Sequence, residues 1–236
     1  MMNKRELFDK ALKSGSEFRD YEINNLSMVG DFFGRHPMIF KKIYRSFSSK
    51  EDSVTFEPEV GAVVNIIYSR DSDEVTVSRL DLEISFSFGR FLRFIELVEL
   101  CYAEVFPIGS IVELDLELVP RRIKNSLDSN DKSLYVMIVA QKIPLENNEH
   151  LYADYAVTLW PFGLKKYTPP FFIANMMIKN MIHKGMRNDT EKAYLDKVKE
   201  KIIVHEMNSF MYLRKDDLQA SVNSTVNLKE KGEFDE

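Results

Sequence analysis

Hydrophobic positions along the chain follow two periods, and the switch between them outlines the elements. Leu7, Phe8, Ala11 and Leu12 recur at i, i+1, i+4 and i+5, one face of a short amphipathic helix over residues 4–13. Gly15 stands where such a helix would stop. The next clear segments are extended. Val54-Thr55-Phe56-Glu57 alternates before Pro58, and Ala62 to Ser69 is rich in β-branched residues. The polar run Arg70-Asp71-Ser72-Asp73 marks a turn. Val75-Thr76-Val77 and Leu80 to Phe86 then alternate with period two, which predicts an antiparallel meander.

From Gly89 the period lengthens. Phe91, Leu92, Phe94, Ile95, Val98 and Cys101 recur at three- and four-residue spacing, predicting a helix over 90–104 closed by Pro107. One more long buried strand is the alternative. A second unit begins at Phe106-Pro107-Ile108-Gly109-Ser110. Ile111 to Val119 alternates and predicts a half-exposed strand, residues 121–133 a long polar loop, and Leu134 to Ala140 and Asp154 to Leu159 two further strands. Ile178 to Met186 reads as extended. Asp189 to Lys201 reads as a helix, with Asp189 or Thr190 as cap and Tyr194, Leu195, Val198 and Ile202 as its apolar stripe. The pattern predicts an α+β fold, mainly antiparallel sheet with a few flanking helices near 4–13, 90–104 and 189–202. The expected division is 1–104, 105–218 and a polar, frayed tail at 219–236.

Composition narrows the function classes. Of 236 residues, 44% are hydrophobic and 12% aromatic, which supplies a core and excludes a disordered chain. The net charge of -5, with Lys and Arg dispersed, argues against a nucleic-acid partner, which a basic stripe would announce. The start of the chain has no apolar leader, and no run approaches the ~18 apolar residues of a membrane span. A cytoplasmic protein is therefore expected. The single cysteine, Cys101, lies in an apolar run and reads as a small buried hydrophobe.

Chemistry-bearing motifs are scarce. The nine glycines form no phosphate-cradling loop, and HExxH, CxxC and GxSxG do not occur. His205-Glu206 is half of a zinc-protease motif, but Ser209 stands where its second histidine would be. His36, His150, His183 and His205 are far apart, and Asp71/Asp73 and Asp216/Asp217 belong to turns or charge runs. Neither a catalytic residue, a metal nor a cofactor is expected.

The segment from Trp160-Pro161-Phe162-Gly163 to Tyr167-Thr168-Pro169-Pro170-Phe171-Phe172 is different. Prolines stiffen a loop, so aromatic side chains shown there lose little entropy on binding, and Trp and Tyr are frequent interface anchors. Trp160, Phe162, Tyr167, Phe171, Phe172 and the adaptable Met177 are the candidate partner-binding residues. The competing reading is that these side chains close one end of the core.

An ordered set of motifs carries a resemblance. Phe106-Pro107-Ile108-Gly109-Ser110-Ile111-Val112 is followed by Met137-Ile138-Val139-Ala140-Gln141, Asp154-Tyr155-Ala156-Val157, Trp160-Pro161-Phe162-Gly163, Phe171-Phe172, His183-Lys184-Gly185-Met186 and Asp189-Thr190-Glu191-Lys192. Over about residues 105–213 the chain resembles a small Gram-positive family of unknown function (numbered forty-one seventy-six), encoded beside LXG toxins in type VII secretion loci. Ala140 and Val157 depart from it, standing where that family favours glycine. The resemblance implies a non-catalytic, chaperone-like or targeting accessory whose partner is the toxin or a secretion factor. An immunity protein that neutralises the toxin is the alternative, and an enzyme of unrecognised type a second.

Overall fold

The computed structural model describes residues 3–119, 133–145, 148–164 and 169–212. The chain is α+β, with five helices and ten strands among the described residues, and it divides into two compact units, Met1–Glu104 and Val105–Glu236. Each has its own sheet and its own core.

Unit 1 opens with α1 (Lys4–Ser14), whose Asn3 and Glu6 cap each other's backbone amides in a capping box. Helices α2 (Ile23–Arg35) and α3 (Met38–Ser49) follow, in a stretch where the sequence pattern predicts no helix. Ile39, Phe40 and Ile43 do carry a helical spacing in α3. In α2 the signal is diluted by Asn24, Asn25, Gly30 and Gly34, poor helix formers. Packing overrides propensity at those glycines: a Cβ on Gly30 would lie 2.2 Å from the Phe8 ring, and one on Gly34 2.2 Å from Tyr102.

The predicted meander forms as β1 (Ser53–Phe56), β2 (Val64–Ser69), β3 (Glu74–Arg79) and β4 (Leu82–Ser87), antiparallel in sequence order. Helix α4 (Phe88–Tyr102) then forms in place of the alternative strand, capped by Ser87. Phe94 sits at the centre of this core, with its ring 6.0 Å from Phe8, 6.0 Å from Phe33 and 5.3 Å from Phe86. Cys101 is buried and in no disulfide, and His36 lies on the Phe32 ring with Nδ1 2.7 Å from the Phe32 carbonyl. Asp71 lies in the helical turn between β2 and β3 and Asp73 just after it. The buried Tyr68 hydroxyl meets Ser46 at 3.0 Å, and its burial pushes its pKa up to about 12.

Unit 2 is built on β5 (Ile111–Leu114), β6 (Leu134–Leu145), β7 (Asn148–Leu159), β8 (Phe171–Ile173), β9 (Ile178–His183) and β10 (Asn208–Ser209). The strand order is β10-β7-β6-β5-β9, with β8 also on β7. β10 runs parallel to β7, and the remaining pairs are antiparallel. The C-terminal helix α5 (Asp189–Val204) is capped by Asn188, one residue before the expected cap. Leu195, Ile202 and Ile203 are its buried stripe, whereas Tyr194 is exposed.

The strand expected over Ile111–Val119 ends at Leu114. There the Asp115 side chain accepts from Glu117 N at 3.2 Å and turns the chain, a local bond that competes with strand extension. It is not half-exposed either. β5 lies between β6 and β9, so Val112, Glu113 and Leu114 are all buried. The loop expected at 121–133 and the tail at 219–236 lie outside the described residues, except for Ser133.

Candidate partner-binding face

Paired residues in a sheet share a face, and successive residues along a strand do not. The pairings Ile138–Val157, Val136–Leu159 and Val112–Val136 set one face of the unit 2 sheet, which is buried. The opposite face carries Thr158 paired with Met137, Met137 with Ile111, Tyr135 with Glu113, and Phe172 with Ala156. Trp160 extends the same row beyond β7. Its amide donates to the Tyr135 carbonyl at 3.0 Å, and its ring meets the Tyr135 ring edge-on at 6.4 Å.

The turn after Trp160 is closed by the Gly163 amide, which donates to the Leu159 carbonyl at 2.8 Å; Gly163 itself is at φ 65, a conformation glycine takes without penalty. The chain therefore turns sharply and holds large apolar side chains out of the fold. Trp160 is 47% exposed, Phe162 61%, Leu164 69% and Phe172 43%.

The structure thus splits the predicted set. Trp160, Phe162 and Phe172 are exposed, Trp160 and Phe162 at the turn that ends β7 and Phe172 opposite Ala156, four residues back along that strand. Phe171 pairs with Val157, so it points to the other face and is half-buried. Met177 is corrected: only 3% exposed, it is part of the core, held in the helical turn Asn175–Met177 beside the equally buried Met176. Tyr167 lies outside the described residues. Tyr135 and Met137 join the face without having been predicted, and Leu164, just past the turn, is exposed. The run Leu134-Tyr135-Val136-Met137-Ile138 is apolar at every position, so no alternation marks its outer face.

Glu113 borders the row. Its carboxylate takes Lys179 Nζ at 2.9 Å, Asn180 Nδ2 at 2.8 Å and Ser133 Oγ at 3.1 Å. Those donors, Lys179 first, hold its pKa below the ordinary carboxylate value, and the same bond raises that of Lys179.

A second polar arrangement binds segments of unit 2 to one another. Lys142, at φ 46 in an irregular stretch of β6, forms a buried ion pair with Asp154 directly across on β7. Asp154 also accepts from Asn175 N at 2.8 Å, and Asn175 accepts from the Tyr155 hydroxyl at 3.0 Å. That hydroxyl in turn accepts from Phe106 N at 3.0 Å, while Gln141 donates to the Phe106 carbonyl at 2.7 Å and to Glu191 at 3.1 Å. Gly185 completes the arrangement. Its amide donates to Ser110 Oγ at 2.9 Å, and a Cβ there would lie 2.2 Å from the Ile108 carbonyl oxygen.

Many of the motif residues that carry the resemblance are in this arrangement. They hold a scaffold together, with their polar atoms engaged by neighbouring chain. Among the described residues, no group of three His, Cys, Asp or Glu is placed to hold a metal ion, and no helix is long and apolar enough to cross a membrane.

Fold and face together define an α+β protein whose second sheet carries exposed aromatic side chains at one end. Comparison with protein-family models, curated proteins and solved structures gives no match to this chain.

Proposed function

We propose that this protein is a non-catalytic binding protein whose second unit engages a protein partner through the Trp160–Phe172 end of its sheet. One observation carries the reading: four large apolar side chains, Trp160, Phe162, Leu164 and Phe172, are exposed on a turn and strands that are themselves held in place. Exposed apolar clusters of this kind mark interaction surfaces, and pre-ordered aromatic side chains reduce the entropy lost on association. A stable interface of about 1,200–2,000 Å² in total would centre on these anchors, with the Glu113–Lys179 pair at its polar rim.

The partner class follows from the motif resemblance: an LXG toxin of a type VII secretion locus or one of its export factors, bound as an accessory would bind it. The test is co-purification of the tagged full-length protein with the LXG protein encoded in its own locus. Stoichiometric recovery that is lost in the Trp160→Ala/Phe162→Ala double variant supports the reading. Recovery unaffected by that variant removes the face, and no recovery with folded protein removes the partner. A toxin-activity assay on the complex then separates loading from neutralisation.

A further inference from the structure

The β3–β4 hairpin and helix α2 of unit 1 border a shallow concavity of about 320 Å³, lined by Met28, Val29, Arg79, Leu80, Asp81 and Leu82. Ligand pockets begin at about this volume. Two features of its wall are out of the ordinary. The Arg79 guanidinium lies 4.3 Å over the Phe32 ring, and its Nε is buried with no hydrogen-bond partner among the described residues. Stacking satisfies the face of a guanidinium and leaves its in-plane N–H groups unmet. A buried donor on a charged group is costly to leave so.

The second feature is Leu80. It occupies the two-residue turn closed by the Arg79–Leu82 pair at φ 53, a backbone region that favours Gly or Asn, and its side chain is exposed beside the lining residue Met28. The turn thus holds an apolar side chain at the concavity under backbone strain, next to an unmet cationic donor. Asp81, also exposed, adds a carboxylate to the lining. A bare anion would be repelled by Asp81, whereas a carboxylate that adjoins an N–H group answers both side chains.

We infer that this concavity binds the α-carboxylate end of an apolar residue. Arg79 receives the carboxylate, Asp81 faces the nitrogen, and Met28, Leu80 and Leu82 contact the side chain. The site is in unit 1 and independent of the aromatic face of unit 2. The same chemistry is offered by a free amino acid and by the C-terminus of a peptide.

The experiment titrates the full-length protein with leucine, N-acetyl-leucine and leucinamide, following amide shifts of Met28, Leu80 and Leu82 by NMR. Either carboxylate should bind at least about tenfold more tightly than leucinamide, the difference made by a charge-assisted bond. Preference for N-acetyl-leucine identifies a peptide C-terminus, and preference for leucine a free amino acid. Equal binding of leucinamide, or shifts confined to other residues, overturns the site. Arg79→Lys keeps the charge without the planar fork of guanidinium donors and should weaken binding. Leu80→Asn suits the turn and should fold with an unchanged or higher melting temperature, yet lose affinity. Unchanged affinity in Leu80→Asn overturns the placement.

Discussion

The two units solve the same problem with different forces. Unit 1 is closed by rings: Phe8, Phe33, Phe86 and Phe91 gather around or beside Phe94, and helices approach through Gly30 and Gly34. Unit 2 is closed at its centre by directional bonds. Lys142, Asp154, Asn175, Tyr155 and Gln141 tie short pieces of chain that are far apart in sequence. Ring packing is non-directional and tolerates a change of shape if volume is kept. A buried polar arrangement tolerates a change of shape far less, because each lost partner leaves an unmet charge or dipole. The difference bears on function. A sheet fixed by such bonds can present exposed aromatic side chains at one end without collapsing onto them.

Asp154→Asn breaks this comparison most sharply, because it changes almost no volume. It leaves Lys142 buried without its counter-charge and should cost about 3–5 kcal/mol. Phe94→Leu, a larger change of shape in unit 1, should cost less, about 1–2 kcal/mol. Hydrogen exchange read unit by unit checks both, since each unit's core amides report its own opening. If Asp154→Asn is the milder of the two, unit 2 is held by packing after all. Replacing both charges, as in Lys142→Met/Asp154→Leu, should recover most of the loss.

Gly185→Ala ranks next. The added Cβ would lie 2.2 Å from a backbone carbonyl, which cannot rotate away as a side chain could. The cost expected is about 1–3 kcal/mol, read from the denaturant midpoint. Gly30→Ala, whose Cβ meets the Phe8 ring instead, should cost less if that ring can swing.

How much of this was legible follows the same division. Strand alternation and the 3.6-residue pattern foretold the meander and helices α1, α4 and α5; α1 and α5 each have a wet and a dry face, whereas α4 is buried all round from Phe94 to Tyr102. Helix α2 was hidden since its glycines serve contact with Phe8 and Tyr102, partners 22 and 68 residues away along the chain. The short β5 was misread because Glu113 looks like a solvent position and is a buried one, satisfied by Lys179 and Asn180 from β9. Of the candidate face, the Trp160-Pro161-Phe162-Gly163 turn was visible as aromatic residues with turn-formers. Met177 was misassigned because periodicity cannot tell a surface methionine from a core one. Tyr135 and Met137 were invisible within an unbroken apolar run.

Glu113 also gives a smaller, signed effect. Its pKa lies below the ordinary 4.5, so the pair's contribution is complete above that pH and is lost as pH falls through the lower, folded value. Lys179 is raised above 10.5, so its share is complete below that pH and is lost as pH rises through its raised value. Glu113→Gln should flatten the acid limb of the stability profile of unit 2. An acid limb identical to that of the parent would show that other carboxylates set it.

The smallest effect on stability should accompany the largest effect on function. Trp160 loses one edge-on contact with Tyr135 when it is cut to alanine, and it is half in solvent already, so Trp160→Ala should cost no more than about 1 kcal/mol of folding stability. Anchor residues of an interface, by contrast, cost about 2 kcal/mol or more of binding when truncated. As the only tryptophan in the chain, Trp160 also reports on its own surroundings. Partner binding at this face should shift its emission to the blue as water leaves the indole, in step with complex formation. A complex that forms with no change in Trp160 emission engages some other surface, and the exposed end of the sheet would then need a different occupant. A Trp160→Ala variant that unfolds outright would place the indole in the core, against its exposure, and the contrast between a closed centre and an open end in unit 2 would fail with it.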